Sequence, residues 1–144
     1  MNTSPTVDDM MEAYAADAVD HAHQTLGITL DFTYESVRLV EDILSQLHRT
    51  IPHGVWRFIR RGPSRETMDL ICKMYGGYIG EVVRKTSGGT WAFEDAFASG
   101  PLITLNLSSG AKIFPPSKVW KRLNDGPGDN VWSYFKVVTE EFRK

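Results

Sequence analysis

Leu102-Ile103-Thr104-Leu105-Asn106-Leu107-Ser108-Ser109-Gly110-Ala111-Lys112-Ile113-Phe114 is the stretch that decides the fold. Ile103, Leu105 and Leu107 alternate with Thr104 and Asn106, the two-residue period of a half-buried strand. Ser108-Ser109-Gly110 carries turn chemistry, and Lys112-Ile113-Phe114 returns as a short strand. Just upstream, Thr90-Trp91-Ala92-Phe93-Glu94 alternates as well. Three such runs in succession predict a three-stranded antiparallel β-meander.

On either side the pattern is helical. Val7 to about Leu26 places Met10, Tyr14, Val19 (or Ala18) and Ala22 near one face, with Gly27 where a left-handed cap belongs. Thr33 reads as the N-cap of a second helix, with Phe32 and Val37 as a hydrophobic staple. Val37, Val40, Leu44 and Leu47 form its stripe, widened by Ile43, and the helix should end before Pro52. Ser64 caps a third helix, about Arg65 to Lys85, lined by Met68, Ile71, Tyr75, Ile79 (or Tyr78) and Val82 and ended by Gly88-Gly89. Pro115-Pro116-Ser117 starts a fourth, with Val119, Trp120 and Leu123 apolar. Asp129 caps a last one, with Val131, Trp132, Phe135, Val138 and Phe142 as its apolar face. The order of helices, strands and helices is an α+β fold: four to five helices packed on the meander. The second, third and last helices are expected on the sheet, burying Trp91, Phe93, Ile103, Leu105, Phe114 and Phe135.

The length, 144 residues, suits one domain. Residues 1–6, short and polar with Pro5, read as a disordered N-terminus, and 7–144 as a single α+β domain. The single cysteine, Cys72, excludes an internal disulfide and a multi-cysteine zinc site, and as a free thiol it reads as buried and inert. No apolar run approaches the ~20 residues of a bilayer span. Met1–Asp9 is acidic and lacks the apolar core of a signal peptide, so a cytoplasmic protein is expected.

A net charge of −2 gives no general case for a nucleic-acid or membrane-surface protein. The charge is nevertheless uneven. Residues 1–42 carry nine acids (Asp8, Asp9, Glu12, Asp17, Asp20, Asp31, Glu35, Glu41 and Asp42) against Arg38. Residues 43–65 carry Arg49, Arg57, Arg60, Arg61 and Arg65 and no acid. Either the two segments pair inside the fold, or one of them faces a partner of opposite sign.

Tyr75-Gly76-Gly77-Tyr78-Ile79-Gly80-Glu81 is the least ordinary local feature. Glycine inside a helix costs roughly 0.8–1.0 kcal/mol relative to alanine, so something must offset three of them. Gly76 and Gly80 share a face, which permits either close packing of another backbone or the floor of a groove. In the groove reading Tyr75, Tyr78, Glu81 and Trp91 line a pocket above Gly76, Gly77 and Gly80. Glu81 is a buried acceptor or a solvated charge.

Catalytic motifs are missing. His21 and His23 diverge by about 200° on a helix. His48 and His53 belong to no metal-ligand motif, so no metal and no cofactor are expected. Gly88-Gly89-Thr90-Trp91 lacks the Gly-Lys-Ser/Thr ending of a phosphate loop and runs from helix to strand. Trp56-Arg57-Phe58-Ile59-Arg60-Arg61 mixes aromatics with bases as single-strand nucleic-acid binders do. The surplus of acids in the first two helices opposes that use.

Gly80-Glu81-Val82-Val83, Gly88-Gly89-Thr90-Trp91, Ile113-Phe114-Pro115-Pro116-Ser117-Lys118-Val119, Lys121-Arg122-Leu123 and the run Leu30–Ser36 resemble a bacterial family of uncharacterised α+β domains. The resemblance spans residues 28–138 and rests on glycine, proline and tryptophan positions. It implies the fold and supplies no catalytic residue. Small α+β domains of this type are often immunity proteins that neutralise a bacterial toxin, an analogy of size and class. The expectation is therefore a non-enzymatic protein-binding domain whose acidic surface, Asp8, Asp9, Glu12, Asp17 and Asp20, meets a basic partner. The alternatives are a small-ligand or enzymatic pocket at the glycines, and nucleic-acid binding through Arg49–Arg65.

Overall fold

The computed structural model describes residues 4–53, 61–95 and 101–141. Among these are helices α1 (Val7–Leu26), α2 (Ser36–Thr50), α3 (Arg65–Ser87), α4 (Pro115–Asp125) and α5 (Val131–Glu141). Strands β1 (Thr90–Glu94), β2 (Leu102–Asn106) and β3 (Lys112–Ile113) form an antiparallel sheet in the order β1-β2-β3. Trp91 stands opposite Leu105, Phe93 opposite Ile103, and Leu105 opposite Ile113. The α+β class and the meander are as the alternation predicts.

Helix α3 is the axis of the molecule. Every residue from Met74 to Val83 is buried, because α1 packs along one side and α4 along another. The sheet lies chiefly against α1 and α4, and α2 and α5 stack on α4 and on each other. This corrects the expectation that the second, third and last helices cover the sheet. Of the six residues expected in its core, Trp91, Ile103, Leu105 and Phe135 are buried and Phe114 is half-buried. Phe93 is 53% exposed.

The buried stripe of α1 is Met11, Ala15, Ala18 and Ala22, one position on from Met10 and Tyr14. The small side chains sit nearest α3, and the larger pair packs half-buried at the flank. Thr6, inside the segment expected to be disordered, is the N-cap of α1. Its hydroxyl accepts from the Asp9 amide, and the Asp9 carboxylate accepts from the Thr6 amide. Gly27 closes the helix in the left-handed conformation.

Helix α2 starts at Ser36 rather than after Thr33, because Leu30–Ser36 is tied to α3 instead. Phe32 has φ +61°, its amide donates to the Tyr78 hydroxyl at 2.8 Å, and its ring lies 4.7 Å from the Tyr78 ring. In α4 the buried stripe includes Arg122, while Trp120 is 44% exposed. Asn130, not Asp129, caps α5 by accepting from the Ser133 amide, and Asp129 pairs with Lys118. Trp56–Arg60 and Phe142 lie outside the described residues.

One buried ion pair ties the helical layer together. Arg122, 1% exposed, donates from Nε and Nη2 to Glu41 at 2.8–3.0 Å. Glu41 Oε1 also accepts from the Val131 amide at the start of α5, 3.0 Å away. One carboxylate of α2 thus anchors both α4 and α5.

Candidate functional site

The groove reading rests on the glycines of α3. A Cβ on Gly76 would stand 2.5 Å from the Pro116 backbone, and one on Gly80 would stand 2.1 Å from the Trp91 ring. At Gly77 the neighbour is Met11, 3.1 Å away. Carbon atoms in contact sit about 3.5–4.0 Å apart, so Gly76 and Gly80 admit α4 and Trp91 where a side chain would intrude, and Gly77 lies tight against the Met11 carbonyl oxygen of α1. The pocket expected above Gly76, Gly77 and Gly80 is therefore filled by the fold itself. Tyr75 and Tyr78 are fully buried and point their hydroxyls at other protein groups. Tyr75 hydrogen-bonds His21 Nδ1 at 2.5 Å, and Tyr78 bonds Ser36 Oγ at 2.6 Å besides the Phe32 amide. Burial raises the pKa of both phenols and lowers that of His21.

Glu81 is the buried acceptor of the two readings. Its Oε2 accepts from Trp91 Nε1 at 2.9 Å and from Arg84 Nη1 at 2.9 Å. Arg84 also reaches Glu12 at 3.3 Å and Asp8 at 3.7 Å, and Asp8 accepts from the Trp91 amide at 2.7 Å. This cluster joins α1, α3 and β1. Of the acids assigned to a partner surface, Asp8 and Glu12 thus hold the fold, and Asp9 caps α1. Asp17 and Asp20 are exposed and have no ion pair among the described residues. Asp8, Glu12 and Glu41 pair with Arg84 and Arg122, and among the described residues no ion pair joins the acids of residues 1–42 to Arg49, Arg61 or Arg65. In that basic segment Arg49 bonds Ser45, Arg61 and Arg65 are exposed, and Arg57 and Arg60 lie outside the described residues.

The concave surface lies elsewhere. An open cleft of about 1160 Å³ runs between the first half of α3, the sheet and α4. Its origin is legible in the strand register. Trp91, Phe93, Ile103, Leu105 and Ile113 share the core face of the sheet, since side chains alternate along each strand. Helices cover the Trp91–Leu105–Ile113 end. The face then runs on past them, and Phe93 and Ile103 form the cleft floor. Helix α4 turns Ser117, Trp120 and Lys121 into the cleft, residues one turn apart on the side away from its buried stripe. Helix α3 contributes Arg65, Glu66, Asp69, Cys72 and Lys73. Phe93 and Trp120, two of the large exposed apolar side chains, both line this cleft.

Its polar rim is mostly cationic. Lys73 pairs with Asp69 at 2.8 Å, Lys112 with Glu94 at 2.6 Å and Lys118 with Asp129 at 3.1 Å. Arg65 and Lys121 have no carboxylate partner among the described residues. The Cys72 thiol beneath is buried, and burial, with help from the nearby Asp69 charge, pushes its pKa up to about 12. A thiol held protonated in this way is not a nucleophile at neutral pH. Among the described residues no cluster of three His, Cys, Asp or Glu side chains is placed to hold a metal ion, and no helix is long and apolar enough to cross a membrane.

Neither Phe93 nor Trp120 stands out as a site residue in the sequence, because each sits on a stripe that reads as core. No family model, no curated protein and no solved structure matches the chain, so the reading of this cleft rests on its own residues.

Proposed function

We propose that this chain is a non-enzymatic protein-binding module and that it docks its partner in the α3–sheet–α4 cleft. The observation that carries this reading is Phe93, which is half exposed on the side of the sheet that is otherwise core. A buried aromatic covers 150–250 Å², so a partner covering the exposed half of Phe93 removes roughly 100 Å² from water. At about 25 cal/mol per Å² that is about 2.5 kcal/mol, and Trp120 offers a similar amount. Exposed aromatics lining one concavity are the kind of anchor that carries protein interfaces.

The dimensions favour a polypeptide over a small molecule. Small-ligand pockets run about 300–1,000 Å³ and enclose most of the ligand, whereas this cleft is larger and open. Its chemistry points the same way, since the thiol beneath it is held protonated by burial and is no nucleophile at neutral pH.

A second reading keeps the acidic surface. Asp17 and Asp20 are exposed and unpaired among the described residues, so α1 offers charge to a basic partner such as a toxin. One experiment separates the two. The product of the neighbouring gene is co-purified with the wild-type chain, with Phe93→Ala and with Asp17→Lys/Asp20→Lys. Loss with Phe93→Ala alone supports the cleft. Loss with the charge reversal alone moves the site to α1 and supports the toxin-neutralising reading.

A further inference from the structure

We propose that the cleft takes an extended acidic segment of a partner protein, anchored by one large apolar side chain. This rests on the docking reading above and names the partner's chemistry. The chain as a whole is acidic at −2, yet five cations line the cleft against the two acids Glu66 and Asp69. Arg65 and Lys121 stand on opposite walls, one on α3 and one on α4, and neither has a carboxylate of this chain among the described residues. A groove floored by Phe93 and Ile103, with Trp120 on its α4 wall and more cations than acids around it, suits a strand of alternating acidic and apolar residues. The α3 wall carries two cations and two acids, so the positive surplus lies on the β3 and α4 side with Lys112, Lys118 and Lys121, and the carboxylates of such a strand face that side while its anchor points down.

The paired lysines reinforce this. Exposed ion pairs such as Lys73–Asp69 and Lys112–Glu94 are weak, so an incoming carboxylate exchanges with them at little cost. Lys118, beside the Tyr134 ring at 5.4 Å, is held near the α4 wall. A basic segment would meet Arg65 and Lys121 head on. A second copy of this chain would have to present its acidic α1, which is a helix rather than an extended strand and whose Asp8 and Glu12 are already engaged.

The test uses the full chain and three fluorescein-labelled synthetic peptides. One alternates Asp and Glu with Phe and Leu, one carries Lys at every acidic position, and one carries Ala at every apolar position. Fluorescence anisotropy gives the affinities at low and at physiological salt. The acidic peptide is expected to bind, to weaken as salt rises and to outbind both others by at least about tenfold. Arg65→Glu/Lys121→Glu should weaken the acidic peptide about tenfold and bind the lysine peptide instead, a gain that misfolding does not produce. If acidic and lysine peptides bind equally and Phe93→Ala weakens both, the cleft docks peptides but the charge inference is overturned. If Phe93→Ala changes nothing, the docking reading falls with it. Absence of binding by the acidic peptide at millimolar concentration overturns the proposal. So does sedimentation of the free chain as a dimer that Phe93→Ala dissociates, because the occupant is then a second copy.

Discussion

Replacing Gly76 by alanine sets two quantities against each other, and the structure decides which is larger. Alanine in a helix interior is favoured over glycine by roughly 0.8–1.0 kcal/mol. If the face at Gly76 were an open groove, that gain would appear in full. In the structure the new methyl would stand 2.5 Å from Pro116 Cα and N and 2.9 Å from the Pro115 carbonyl carbon. It falls about 1 Å short of ordinary carbon contact. The obstacle is backbone, and both residues are prolines with φ fixed by their rings, so the first turn of α4 can only shift as a body. Overpacking a tight core costs typically 1–3 kcal/mol, and an obstacle this rigid belongs at the upper end. After the helix gain is deducted, Gly76→Ala should lose about 2 kcal/mol. For a chain of this size that lowers Tm by roughly 6–8 °C. Urea unfolding followed by tryptophan fluorescence reads the same quantity. Gly77→Ala, which meets Met11 at 3.1–3.3 Å, should cost less. A Gly76→Ala protein as stable as wild type, or more so, refutes the close-packing account and reopens the groove.

Glu41→Ala should cost about 3–5 kcal/mol, because it leaves the Arg122 charge buried and the Val131 amide without its acceptor. Glu41→Leu with Arg122→Met should recover most of that loss, and chemical denaturation of both variants checks the pair. Cys72 should resist iodoacetamide in the native protein at pH 8 and react once the protein is unfolded. Its raised pKa means that the folded state holds a proton the unfolded chain releases. Stability should therefore fall as pH rises from about 9 towards 12, less steeply in Cys72→Ala. His21 has the opposite sign: burial lowers its pKa, so the folded state resists protonation and stability should fall as pH drops through 6.5. An NMR titration of His21 with its midpoint at or above 6.5 would contradict this.

The fold was legible wherever a period was unbroken. The alternation at Leu102–Leu107, the Ser64 cap, the Gly27 stop and the proline start of α4 each have a local physical cause, and each lies where the sequence places it. What a local pattern cannot show is which face of an element finds a partner. Met10 and Tyr14 are a plausible stripe, but a glycine-bearing helix selects the alanines one position over. Glu41 falls between Val40 and Leu44, and Arg122 lies beside Leu123. Opposite charges that each occupy a slot in an apolar stripe are the signature of a buried pair, and reading each alone as a solvated charge conceals it. The acidic segment shows the same limit. A count of acids does not reveal that Asp8 and Glu12 converge on Arg84, or that Asp9 turns back on Thr6. The cleft was the least legible feature, since it arises where the apolar face of the sheet outruns its helical cover.

The most direct test of the central claim is amide hydrogen exchange on the chain alone and with its co-purified partner bound. Docking in the cleft should slow exchange in β2, in β3 and in the first half of α4, and leave the exposed side of α1 unchanged. Protection confined to α1 around Asp17 and Asp20, with the sheet and α4 unaffected, would contradict it.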